Sequence, residues 1–152
     1  MKECIGYQFP NTPDWEKGAA QLLEKVFKQG HRVSFVTGQE ERLLFWDQFL
    51  WTFSQKSFLP HGCSARDPVP ADHPIWITTL LENQNQASCV LLCDGTNVNL
   101  PFLDFNLILW VGTENDTSFW TKAFQFCASH SWEKSVLWRK NSGGWVSGPF
   151  LS

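Results

Sequence analysis

The chain has 152 residues, 43% of them hydrophobic, with nine Trp, thirteen Phe and a formal charge of −3. That length suits one domain with a sizeable core, and the acidic total excludes a protein that coats nucleic acid by general electrostatics, so no strong direct nucleic-acid binding is expected. Charge is uneven: residues 117–152 carry +3 from Lys122, Lys134, Arg139 and Lys140 against Glu133, leaving −6 on the first 116. This implies either an anionic partner at the C-terminal end or a solvated basic tail.

In chain order, "CIGYQF" (4–9) reads as a short buried strand, "PNTPD" breaks it, and Asp14 is placed to cap a following helix. Ala19, Leu22, Leu23, Val26 and Phe27 recur at helical spacing, and Gly30 ends the run. "RVSFVT" (32–37) is a second strand. Strand, helix and strand within about thirty residues form a βαβ unit and imply parallel pairing.

A second helix is expected from about Gln39 to Phe53. Leu43, Trp46, Leu50 and Phe53 make one stripe, while Leu44 and Trp51, seven apart, lie on a separate face. A helix with two apolar faces in a small domain leaves one for a partner. "SFLPHGCSARDPVPADHP" then reads as a long irregular loop. "IWITTL" (75–80) and "SCVLLCDG" (88–95) are strands joined through "ENQNQ", either as a hairpin or across a looser loop. "FNLILWVG" (105–112) is fully apolar, as inside a covered sheet. Trp120, Ala123, Phe124 and Cys127 mark a last helix beginning near Asp116–Ser118, and "NSGGWVSGPF" is a glycine-rich end. The expected architecture is one α/β domain over 1–152, a three-layer α/β/α sandwich around a mostly parallel sheet.

Five cysteines, no apolar leader and no apolar run of membrane-span length fit free thiols in a reducing cytoplasm with no membrane association. The turns after the first two strands, "FPNTPD" and "VTGQEER", lack the glycines and lysine of phosphate-binding loops, and glutamates at a helix start repel phosphate. The fold is thus nucleotide-binding-like without phosphate loops, and no cofactor is expected. Cys89 and Cys93 share a strand face about 13 Å apart, too far for one metal ion. His61, Cys63 and Asp67 have the residue types of a nucleophilic trio without a known spacing. A small α/β enzyme using that loop is the alternative reading.

"DQFLWTFSQKSFLPHG" (47–62) resembles a segment of the chi subunit of bacterial DNA polymerase III holoenzyme, in which a helix ending in Leu-Trp is followed by Ser-Phe-(Val/Leu)-Pro-His; here these are Leu50, Trp51, Ser57, Phe58, Leu59, Pro60 and His61. "QGHRV" and "PIWIT" agree, over about residues 1–80. The resemblance implies a non-enzymatic subunit that pairs with the psi subunit of the clamp-loader complex and grips the acidic C-terminal tail of single-stranded DNA-binding protein. Trp51, Phe58, Leu59, Pro60 and His61 are the implied psi-binding residues. The family carries a basic, aromatic run on its last helix for the tail. This chain departs there, with "WEKSVLWRKNSGGW", and Lys134, Trp138, Arg139 and Lys140 are the nearest match. A relative serving a repair helicase through the same surface is a further alternative.

Overall fold

The structure, a computed structural model, describes residues 2–53, 58–96 and 105–150. Ser57 of the quoted motif lies outside the described residues. Strand β1 (Glu3–Phe9) leads into helix α1 (Thr12–Lys28), capped by Asn11, whose side chain accepts the backbone N–H of Asp14. Asp14, expected as the cap, sits instead in the first turn of a helix that begins at Thr12, and its own backbone N–H is the one Asn11 caps. Gly30, at φ 95°, stops the helix: its N–H bonds Phe27 O and that of His31 bonds Val26 O, closing the last turn as a left-handed glycine does.

β2 (Val33–Thr37) is buried throughout. A single 3₁₀ turn (Glu40–Arg42) precedes α2 (Leu43–Thr52), so the α-helix is shorter than expected. The segment expected to be wholly irregular contains a three-residue strand, β3 (His61–Cys63), before β4 (Ile75–Thr78). β5 (Cys89–Cys93), β6 (Leu107–Thr113), α3 (Thr117–Ala128), β7 (Lys134–Asn141) and β8 (Gly144–Pro149) follow.

The sheet order is β3-β4-β2-β5-β6-β1-β7-β8, every pair parallel except β7–β8. β4 and β5 are therefore not a hairpin. Each pairs with β2, on opposite sides of it, Phe35 facing Ile77 one way and Leu91 the other. Both strands are apolar on two faces, so each gains more from the centre of the sheet than from an exposed hairpin.

Side chains alternate between two buried layers. Ile5, Phe35, Leu91 and Leu109 join α1 and α2 on one face; Val36, Leu92, Ile108 and Trp110 join α3 on the other. This is the three-layer α/β/α sandwich that the apolar strands predict. On the α3 face Phe150 lies against Gly6, where an added Cβ would come within 2.5 Å of its ring. The chain end is thereby fastened across β1. Among the described residues no helix is long and apolar enough to cross a membrane.

Candidate protein-docking surfaces

Five of the nine indoles, Trp15, Trp46, Trp76, Trp110 and Trp120, are buried in the two layers. Trp51 and Trp145 are not, and each marks a different surface.

The first surface is an aromatic elbow at the end of α2. Leu43, Trp46 and Leu50 face the core, which turns Leu44 and Trp51 outward. Trp51 is 45% exposed and Phe58 65%, their rings 5.3 Å apart and tilted by 35°. The indole also lies 4.5 Å from the His61 ring. Beneath them the support is buried and polar. His61 Nδ1 lies 2.7 Å from Leu59 O, and Nε2 lies 3.0 Å from Asp47 O and 3.2 Å from Asp47 Oδ1. Arg66 donates to the other Asp47 oxygen at 2.8 Å. These contacts hold the start of β3 against α2 and fix the floor on which the two rings rest.

The five residues expected to meet one partner therefore divide. Trp51 and Phe58 are presented, Pro60 is half-buried, and Leu59 and His61 are buried. Leu59 and His61 shape the elbow from inside; their side chains offer a partner no surface, because the apolar Leu59 and the imidazole, whose two nitrogens face Leu59 O and Asp47, lie in the interior.

The His61, Cys63 and Asp67 trio is not assembled. Both nitrogens of His61 face Leu59 and Asp47, the Cys63 thiol donates to Leu43 O at 3.6 Å, and Asp67 accepts the backbone N–H of Cys63 rather than its thiol. Burial pushes the Cys63 thiol up, away from the reactive thiolate. Burial alone raises Asp67 also, but the Cys63 N–H and Arg66 overcome it and hold the carboxyl below its ordinary range. Cys89 and Cys93 are buried free thiols, and among the described residues no cluster of three His, Cys, Asp or Glu could hold a metal ion.

At the carboxyl ends of the strands, where open α/β sheets take ligands, lies a crevice of about 410 Å³. Its cation, Arg42, is held by Glu16 and by Asp94 at 3.3 Å, and the guanidinium lies 4.0 Å from the Phe45 ring centre. The charge there is already matched from within the chain.

The second surface is at the opposite end of the sheet. The basic C-terminal residues, which the resemblance matches to a run on the family's last helix, lie on β7, because α3 stops at Ala128 and Val136, Leu137 and Trp138 pair with β1. A strand alternates its side chains, so the four expected tail-binding residues split. Lys134, Trp138 and Lys140 face the α1 side, and Arg139 faces the α3 side.

Between α1 and the β7–β8 hairpin run two adjoining cavities of about 460 and 340 Å³ that share Tyr7, Leu22, Lys25 and Trp145. Lys134 and Trp138 line the first, Lys17 and Lys140 the second. Trp145 stands edge-on to Phe9 at 5.1 Å and to Tyr7 at 5.9 Å. Sequence reasoning missed Tyr7, Lys17, Lys25 and Trp145. The signal available was alternation: Tyr7 shares the face of Ile5 and Phe9, and Lys17 and Lys25 flank the apolar stripe of α1.

Residues 1–122 match the family model described as "DNA polymerase III chi subunit, HolC". The match includes β1 through the first half of α3 and hence the whole elbow; β7 and β8 lie beyond it. Among curated proteins, the chain is 35% identical over 82 residues to the "Probable DNA polymerase III subunit chi" of Rickettsia prowazekii (strain Madrid E), covering 54% of this chain and 49% of that relative. The chain thus spans about half the length of the curated relative it matches. With a family match over four-fifths of its residues, this chain belongs to the DNA polymerase III chi-subunit family, whose members are accessory subunits of a DNA-replicating polymerase.

Proposed function

We propose that this chain is a non-catalytic accessory subunit of the bacterial replicative polymerase, working in the cytoplasm as a bridge. One side docks psi of the clamp-loader complex; the other takes the acidic C-terminal tail of single-stranded DNA-binding protein. The observation that carries the reading is the exposed Trp51–Phe58 pair on a rigid, internally bonded base. Large aromatics held in place before binding lose little conformational entropy on association, and such residues dominate interface energies. Leu44, 59% exposed on the same helix face as Trp51, extends the apolar surface along α2. The tail-binding side rests on Lys134, Trp138 and Lys140, which combine cations with an indole on one face of β7.

The test is co-purification of the full chain with psi. Phe58→Ala is expected to abolish it while the circular dichroism spectrum stays that of the wild type, because the ring contributes little to the folded chain alone. Retention of psi by the Phe58→Ala and Trp51→Ala variants would overturn the assignment of the elbow.

A further inference from the structure

We propose that Cys4 and Cys127 form a redox-active dithiol that a peroxide closes to an intramolecular disulfide, Cys127 attacking the oxidant and Cys4 resolving the product. The site is independent of the two partners assigned above, and Cys127 lies beyond residues 1–122, which the family model matches.

Three elements bring the sulfurs together. Cys4 on β1 is in register with Ser135 on β7, and these parallel strands lie about 4.8 Å apart, so the two side chains leave the sheet side by side. They leave it toward α3, where Cys4 and Cys127 belong to one buried cluster. Cys127, in the last turn of α3, places its Sγ 2.8 Å from Ser135 Oγ, and the two thiols share a hydrogen bond. The Trp132 indole N–H donates to Cys127 O at 2.8 Å and holds the helix end over the strands. Both sulfurs are buried, but Ala128 and Ser129, next in sequence, are exposed, so a small oxidant has one frayed helical turn to pass.

The surroundings decide which sulfur attacks. The hydrogen bond from Cys4, the Ser135 hydroxyl and the charge of His130 outweigh burial and lower the Cys127 thiol to about 7. The hydrogen bond to Cys127 and then burial push Cys4 up. Burial pushes up Cys63, Cys89 and Cys93 as well, so Cys127 is the one thiol of the five poised to ionise near neutral pH. Trp110 is the independent sign. Its buried indole N–H has no oxygen or nitrogen acceptor among the described residues, an uncommon state for a buried donor. It lies beside Cys4, whose ionised form it favours, and gains a strong acceptor when Cys4 becomes the nucleophile.

The chemistry balances. The Cys127 thiolate attacks one peroxide oxygen; the O–O bond breaks, an S–OH forms, and the departing hydroxide takes up a proton as water. The Cys4 sulfur then attacks Cys127; the S–S bond forms, the S–O bond breaks, and the second hydroxide takes the Cys4 proton. The two thiols lose two electrons, and one hydrogen peroxide becomes two waters.

The experiment treats the reduced full chain with hydrogen peroxide, blocks the remaining thiols with iodoacetamide and maps tryptic peptides by mass. The expected product joins residues 3–17 to residues 123–134 and is lost on adding dithiothreitol. Cys4→Ala should leave Cys127 as a sulfenic acid that dimedone captures, and Cys63→Ala should leave the cross-link intact. Trp110→Phe should slow closure, raising dimedone capture at Cys127 about threefold or more; unchanged capture overturns the role of the indole. Circular dichroism confirms the folding of each variant, and the wild-type peptide map decides the pair without them. Cross-links to Cys63, Cys89 or Cys93, or between two chains, overturn it. So does a cross-link that forms only in urea, and so does a folded chain that keeps its five thiols at a peroxide dose that oxidises free glutathione.

Discussion

Asp94 has a left-handed backbone (φ 55°) and a carboxylate that is only 6% exposed, a costly combination for a charged residue. Its partners explain why it persists. Oδ2 accepts from Trp46 Nε1 at 2.7 Å and from Thr37 Oγ1 at 2.8 Å, and Oδ1 faces Arg42. One carboxylate thus joins the end of β5 to β2 and α2. Gly38 lets the two turns touch, since a Cβ there would come within 2.5 Å of Asp94 O. Asp94→Ala leaves the Trp46 indole N–H without its acceptor, the Thr37 hydroxyl with only the Gln39 carbonyl at 3.4 Å and Arg42 with only Glu16, and places alanine at positive φ. It is expected to lower stability by about 2–4 kcal/mol, read as the shift in urea midpoint. A loss under about 1 kcal/mol would show that water replaces the carboxylate, as it does for an exposed pair.

The segment from α2 to β3 converts a core helix into an edge strand, and its adjacent residues 58 and 59 have opposite duties. Phe58 is exposed; Leu59, 1% exposed, is the apolar anchor that holds the turn down. Leu59→Ala is expected to cost about 2–5 kcal/mol and Phe58→Ala no more than about 0.5 kcal/mol, both by chemical denaturation. Equal losses would place the Phe58 ring in the core. Much of this element was legible in the sequence. The Leu43, Trp46 and Leu50 stripe fixes the buried face of α2, and the 3.6-residue period then sends Leu44 and Trp51 outward. What was not legible is non-local. β3 is three residues long among prolines and glycines, so its strand character comes from pairing with β4 rather than from its own pattern. The positions of β4 and β5 on either side of β2 depend on competition for the centre of the sheet, which no local window records. The C-terminal basic residues were identified by type, but whether they lie on a helix or a strand decides which of them share a face. Register on β7 set Arg139 apart from Lys134, Trp138 and Lys140.

At the scale of the molecule the two surfaces occupy opposite ends of one sheet. The elbow belongs to α2 and β3; the groove belongs to α1, β1, β7 and β8. Between β3 and β1 or β7 lie five or six strand spacings of about 4.8 Å, on the order of 25–30 Å. That separation exceeds the screening length of about 8 Å at physiological salt, so the charges of one surface do not act on the other. Of the four intervening strands, β4, β2 and β5 are buried along their whole lengths and β6 in all but its two end residues. Close-packed interior strands of this kind resist graded deformation. Coupling between sites requires an element with two arrangements that both ligands bias, and the described elements that form the elbow share no member with those that form the groove. On the proposed assignment of partners, binding at one surface is therefore expected to leave the other unaffected. The dissociation constant of an acidic tail peptide, measured by titration calorimetry, should change by less than about twofold when psi is bound, and psi affinity should be equally indifferent to the peptide. A change of tenfold or more in either direction would require α1 or the sheet to shift when the elbow is occupied, and would turn a rigid connector into a switch.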